Sequence, residues 1–484
     1  MSTSAQTLPA FAAPSPLPTA AFEVLGYLAV VAMATLSFVL GWLSVNGAAV
    51  LCTLLLLTLI MLAWNRFDQG KHPCFLFLCT LMLFQGGRLI AYCLGGVAHP
   101  LQVQLMQDEP FSIGRANEGV VLLCLALSAI CLYAPCRWNF KAFPTPSTEG
   151  VRKYLPYLYL LFFSSLPIQL YKNYKYFEWA QQHGGYSSIY LNHASLVASV
   201  PFLVRIIPLV SFPTLVAIFV FEYRKGRAYA AAALYLGAAS VILLLGSRGT
   251  TFGLVLALWY IARVKTTRRT RIALLALFAI TLVLIADAAR QHRDNPDEQQ
   301  FSFLPLEFLS LQGLSLDVLS TVVAYRDYFA PYARMYPFYE LQIAFVAVDT
   351  AHYRRGRALS YDASVLLNVN GFDLGGGTGG SYIGEAYAIG GLVGVVVISL
   401  LIGFGLHLLR ALSRSSLTLA LVAMMLPEIM LMPRGGLLDW LSVFFRNAIS
   451  IILLLAGWKA YSLVTSIRRS VYSHQLPFRE GPAA

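Results

Sequence analysis

Runs of apolar residues set the organisation of this chain. Twelve of them approach the ~17–25 residues that cross a bilayer as one helix, near positions 23–43, 47–64, 74–97, 116–135, 154–171, 201–221, 228–246, 250–263, 272–289, 382–409, 416–432 and 438–458. The eighth is short unless it starts within the turn Gly246-Ser247-Arg248-Gly249. The pattern predicts an all-α, polytopic integral membrane protein of about 12 transmembrane helices, and an even number of spans puts both termini on one side. Spans one to nine fall within 22–289 and the last three within 382–460, with one long extramembrane segment, 290–381, between them. Residues 1–21, rich in Ala, Pro, Ser and Thr and lacking a basic leading region, predict a disordered cytoplasmic tail, not a cleaved signal. Residues 461–484 make a second cytoplasmic tail.

The polar positions orient these spans. Loops beginning at Arg66/Lys71, Arg137/Lys141/Arg152/Lys153, Arg224/Lys225/Arg227 and Arg263/Lys265/Arg268/Arg269/Arg271 alternate with loops poor in Lys and Arg, and Arg410/Arg414 and Arg468/Arg469 continue the alternation. Basic loops stay cytoplasmic, so 98–115, 172–200, 247–249, 290–381 and 433–437 face the opposite side. Within the long segment, Phe301 to Tyr325 looks helical, but Glu307, Gln312 and Asp317 would enter hydrocarbon at considerable cost. An amphipathic helix at the outer interface is the expected form.

Composition agrees with the pattern: 58% of residues are hydrophobic and only 12% charged, against roughly 25% charged in soluble domains. Soluble, disordered and disulfide-stapled classes are excluded. The net charge of +12 reports loop orientation in such a protein, not a nucleic-acid partner. The seven cysteines, all between Cys52 and Cys136, lie mostly in apolar runs without metal-like spacing and are expected to pack.

Four groups of residues carry chemistry on the outward side. Gly246-Ser247-Arg248-Gly249-Thr250 puts a guanidinium at a span end; Arg290-Gln291-His292-Arg293 follows Asp287; Met432-Pro433-Arg434-Gly435-Gly436 is a short turn with one arginine. The fourth, Gly375-Gly376-Gly377-Thr378-Gly379-Gly380-Ser381-Tyr382, runs into Ile383-Gly384-Glu385-Ala386-Tyr387. Arginine is suited to bidentate contact with phosphate oxygens, and a glycine run leading into a helix exposes backbone N–H groups to an anion. It is not an ATP-binding P-loop, since the Lys-Ser/Thr ending is absent. Each feature has a bland counterpart: a lone interfacial arginine anchors a helix by snorkelling, a glycine-rich loop connects, and His183, His193, His292 and His352 sit in loops. Arg88, in Gln85-Gly86-Gly87-Arg88, is harder to set aside, because an intramembrane charge pairs or lines a cavity; Glu385 and Glu428 belong to the same class. No acidic pair with metal spacing stands out on the outer face, although Asp287 and Asp294 are near, and no cofactor is expected.

These motifs together resemble the O-antigen polymerase (Wzy-type) oligosaccharide repeat-unit polymerases. The matching pieces are Gly246-Ser247-Arg248; Gly379-Gly380-Ser381-Tyr382-Ile383-Gly384-Glu385-Ala386-Tyr387 followed by Gly390-Gly391-Leu392-Val393-Gly394; Pro433-Arg434-Gly435-Gly436; and Gly184-Gly185-Tyr186, so the resemblance covers roughly 170–460. One spacing described in the family, Arg followed ten residues later by Gly, is not found at Arg248, Arg290, Arg293 or Arg434, which leaves subfamily and glycan open. The resemblance implies polymerisation at the periplasmic face of the bacterial inner membrane, where a glycan on undecaprenyl diphosphate is transferred to the terminal hydroxyl of a new lipid-linked repeat unit. It implies undecaprenyl-diphosphate-linked oligosaccharide and the lipid bilayer as partners, allows a chain-length regulator protein, and calls for no nucleic acid. On this basis Arg248, Arg290, Arg293 and Arg434 are assigned to the diphosphate and Arg88 to substrate binding, with Tyr382 and Glu385 beside the sugar; Glu385 and His292 are the nearest titratable groups for the acceptor hydroxyl, and Arg248 would stabilise the leaving group. The rival is an O-antigen ligase, which transfers glycan to lipid A core. A lipid-linked-sugar transporter is disfavoured because the two halves of the chain do not repeat.

Overall fold

The computed structural model describes residues 17–67, 70–101, 113–138, 154–183, 186–243, 249–265, 305–343, 354–367 and 379–450, and positions 452, 456, 459 and 463. Among these described residues every regular element is a helix, the form that satisfies a backbone in hydrocarbon within one segment. Five helices among the described residues are long and apolar enough to cross a bilayer, or seven if each of two bent pairs is one span. The twelve expected spans are thus not twelve continuous helices, and 272–289 lies outside the described residues.

The first two apolar runs form α1 (Leu17–Val39) and α2 (Val45–Arg66). Ser44 caps α2, its Oγ accepting from Gly47 N–H at 3.1 Å. The third run breaks: α3 (Pro73–Phe84) and α4 (Gly87–Cys93) meet at 62° across Gln85-Gly86, where two successive glycines weaken the helix. Then come α5 (Arg115–Tyr133) and α6 (Leu155–Gln182), the latter extending well beyond its apolar run. Pro201 and Pro208 divide the next run into short turns before α7 (Ser211–Glu222), after which α8 (Gly226–Leu243) and α9 (Gly249–Lys265) follow.

The long segment contributes α10 (Pro305–Gln312) and α11 (Ser315–Ala324), bent by 42° across Gly313-Leu314, and α12 (Leu359–Leu367). The chain ends in α13 (Tyr382–Leu412), α14 (Ser416–Leu431) and a helix over 439–450, α15. Arginines of the long segment lie on tyrosines: Arg355 stands 3.7 Å above the Tyr328 ring and donates to its carbonyl at 3.0 Å, and Arg357 covers Tyr339. These contacts shield positive charge on a segment that breaks the basic-loop alternation.

α5 and α13 form the centre. A Cβ on Gly403 would stand 2.7 Å from the Leu132 carbonyl oxygen, so the two backbones touch. Ser128 of α5 meets both the Tyr382 hydroxyl, at 2.5 Å, and Ser399 Oγ, at 3.0 Å. In a straight helix Tyr382 and Ser399 would be about 25 Å apart. They share one partner because Gly390 and Gly391 leave helical geometry, Gly391 at φ +58°, and the first two turns of α13 fold back on the rest. A Cβ on Gly394 would run into the Ala386 carbonyl. The start of α13 therefore lies within the bundle, with the Tyr382 hydroxyl at the level of Ser128, roughly 20 Å along α5 from Arg115.

α11 departs from expectation in the same way. Ser315 to Val323 are all buried among α5, α12 and α13, so this helix is enclosed and not laid on an interface. The physical reason is Asp317, whose carboxylate is answered by Arg88; the cost that argued for the surface is offset by a partner the linear sequence does not reveal. At the far end, Glu23 of α1 pairs with Arg66 and with Arg137, the latter at 3.2 Å. Two basic segments assigned to one side thus meet at a single carboxylate.

Candidate functional site

The helix interruptions converge. The break after α3 packs against the break after α10: a Cβ on Gly87 would lie 2.6 Å from the Leu309 carbonyl oxygen, and one on Gly313 would lie 2.6 Å from the Arg88 amide nitrogen. Glycine alone permits that approach. It seats Arg88 on Asp317 as an ion pair whose side chains are 0% and 3% exposed. Arg88 Nε and Nη2 are buried without a hydrogen-bond partner, so the pair is closed on one edge of the guanidinium only.

Gln85 reaches the other way. Its Nε2 donates to the Pro433 carbonyl at 2.6 Å and to Ser381 Oγ at 3.0 Å, joining α3 to both glycine turns. Those turns lie backbone on backbone, with Gly380 N–H donating to the Arg434 carbonyl at 2.8 Å. Gly379 takes φ +78°, a left-handed conformation that glycine adopts without strain. Ser381 then caps α13, its Oγ accepting from Gly384 N–H at 3.2 Å.

Two carboxylates grip the arginine turn. Glu385 Oε2 accepts from Leu437 N–H at 2.8 Å, and Asp439 Oδ2 accepts from Gly436 N–H at 2.6 Å. Between these anchors Arg434 is exposed; its Nη1 donates to Gln312 Oε1 at 2.9 Å, and its guanidinium stands 5.8 Å from the Phe84 ring centre. Tyr361 of α12 approaches Asp439. Burial, then the neighbouring Tyr339 and Asp439, push its phenol up to about 12, so it stays a neutral hydroxyl. The result is a cradle of amides and carboxylates that presents one arginine at its open edge, a group able to meet a phosphate or pyrophosphate oxygen.

The family model for O-antigen polysaccharide polymerase Wzy matches residues 24–463. The chain belongs to this family. It is accordingly a multi-pass membrane protein with an O-antigen polymerase role in polysaccharide biosynthesis, acting on lipid-linked oligosaccharide. Neither a curated protein nor a solved structure matches it.

In this polymerase, three of the residues singled out by sequence come together: Arg434, Glu385 and Arg88. Arg434 is at the open edge, Glu385 beneath the turn, and Arg88 enclosed on Asp317. Tyr382 adjoins the cradle but directs its hydroxyl to Ser128, and its ring meets Phe77 in a T-shaped contact, 5.8 Å between centres. Arg248, Arg290, His292 and Arg293, with Asp287 and Asp294, lie outside the described residues. Sequence reasoning quoted Gln85 and Ser381 without giving them a role, passed over Asp439, and treated Gln312 and Asp317 as reasons for surface placement. Its available signal was an amide beside glycine in an apolar run, as in Gln85-Gly86 and Gln312-Gly313; such an amide in hydrocarbon needs a partner. Arg326, 5.6 Å over the Tyr387 ring and near the Gly391 kink, is a further cation with no motif around it.

Proposed function

We propose that this polymerase transfers a growing glycan from undecaprenyl diphosphate to the terminal hydroxyl of a new lipid-linked repeat unit, on the periplasmic side. The bond between the sugar C1 and the phosphate oxygen breaks, a glycosidic C–O bond forms, the acceptor hydroxyl loses its proton, and undecaprenyl diphosphate leaves with the electron pair. Negative charge develops on that leaving group, and a fixed guanidinium stabilises it without reorganising during the step. The observation that carries this assignment is the locking of the Arg434 turn by Gln85, Glu385 and Asp439 while Arg434 itself stays exposed.

Glu385 in this reading is a positioning residue, since its carboxylate is fully buried and its Oε2 holds Leu437 N–H. Arg88 holds the two broken helices together through Asp317 and sets the positions of Gln85 and Gln312. Tyr382 supports the sugar side of the cradle from beneath. Arg248, Arg290 and Arg293 add contacts to the diphosphate, His292 is the remaining candidate base, and a chain-length regulator acts as partner.

A deletion strain distinguishes the alternatives. The proposal expects surface glycan capped at one repeat unit; a ligase would leave long polymer on the lipid carrier. Full-length surface polymer in a strain with no second polymerase would rule out both.

A further inference from the structure

At the opposite end of α3 and α5 from the cradle, three soft ligands meet. His72, Cys74 and Cys136 each present a ligand atom, and these atoms lie within 4.8 Å of one another. The three residues are 3%, 0% and 3% exposed. Their spacing along the chain hides the cluster, because the 3-10 turn Ala134–Arg137 brings Cys136 from the end of α5 to the start of α3. Both thiols make only weak contacts: Cys136 Sγ to Leu132 O at 3.4 Å and to Gly403 O at 3.5 Å, and Cys74 Sγ to Leu132 O at 3.9 Å.

His72 is satisfied on one ring nitrogen only. Its Nδ1 accepts from Cys74 N–H at 3.0 Å, so the proton of the neutral ring sits on Nε2. That Nε2 is buried and has no hydrogen-bond partner. The centre of the His407 ring stands 5.7 Å from that of the His72 ring, and the Arg410 charge lies near both. Among the described residues no carboxylate joins the group.

We propose that His72, Cys74 and Cys136 bind one thiophilic d10 cation, Zn2+ or Cu+, as a structural clip between α3 and the end of α5. Two thiolates and an imidazole are the donor set such ions prefer. Binding releases two thiol protons, forms two metal–sulfur bonds and one metal–nitrogen bond, and takes the ring lone pair that now caps α3. The lost cap is a small term beside two metal–thiolate bonds. The two thiolate charges offset those of a divalent ion. By the alternation of basic residues this end faces the cytoplasm, where thiols stay reduced and available as ligands. The enclosed position leaves no path for substrate, so the ion holds structure. Its consequence reaches the cradle, since α3 leads to Gln85 and α5 carries Ser128.

The test is elemental analysis of the purified full chain, with cobalt(II) reconstitution of the chelator-treated protein. Expected are about one equivalent of zinc or copper, a thiolate-to-cobalt charge-transfer band in the near ultraviolet, and metal content at least tenfold lower in Cys136→Ser and His72→Gln. Cys93→Ser, altering an exposed cysteine, should retain the wild-type amount. Should the cluster variants fail to fold, the cobalt spectrum of the wild-type protein still decides. Absence of both bound metal and the cobalt band at saturating ion overturns the site, and so does wild-type metal content in Cys74→Ser and Cys136→Ser.

Discussion

Arg434 and Arg88 carry the same charge and do different work because of what surrounds them. Arg434 is exposed and shares one nitrogen with Gln312; its planar fork can grip a phosphate in a way that an ammonium cannot. Arg434→Lys at normal protein level should therefore cut polymer formation by about tenfold or more, as read from the glycan ladder of the variant strain. If Arg434 merely anchored a helix end, lysine would snorkel equally well and the ladder would be unchanged. Arg88 is enclosed, and removing its partner leaves a buried charge unanswered. Asp317→Leu should destabilise by about 3–5 kcal/mol, whereas the double change Arg88→Met, Asp317→Leu should recover much of that loss. Thermal unfolding midpoints in one detergent compare the two; equal midpoints for the single and double variants would count against a buried ion pair.

Among elements, the interruptions matter more than the spans. A helix of apolar residues crosses a bilayer without further instruction, but a functional cradle inside it needs backbone polar groups that find partners in protein. Here Gly313, Gly379, Gly380 and Gly391 supply the close approaches and turns. Gly391→Ala should cost about 1–3 kcal/mol, because φ +58° with ψ −145° is a region held almost solely by glycine. The neighbouring Gly390 has open space where its Cβ would go, so Gly390→Ala is the matched control and should keep more of the wild-type midpoint. Gly380→Ala should impair polymerisation more than stability, since its Cβ would stand 2.9 Å from the Gly435 carbonyl carbon and push the arginine turn away from Gln85. A normal glycan ladder from this variant would separate the glycine turn from the active geometry.

For the molecule as a whole, sidedness is the open quantity, and it rests on the alternation of basic loops. Cysteines introduced at Gly377 and at Thr267 should label from opposite sides of the membrane. Labelling of both by an impermeant reagent from the same side would refute the orientation. Glu23 supports a common side for Arg66 and Arg137 independently of hydropathy.

Fold class and family were legible in the residues, because twenty apolar residues need no tertiary partner to declare a membrane helix, and because the glycine and arginine motifs are contiguous. Arg434 and Glu385 stood within those motifs, and Arg88 stood out as a charge in an apolar run. The depth of the cradle was not legible. It depends on α13 folding back at Gly390-Gly391, a choice made by the packing of Tyr382 and Ser399 on one serine. Nor could the placement of α11 be read, since whether Asp317 belongs in the bundle or at its surface turns on Arg88, more than two hundred residues earlier. Local pattern determines what one segment can do alone; pairing of buried polar groups is decided only when distant segments meet, and that pairing built this site.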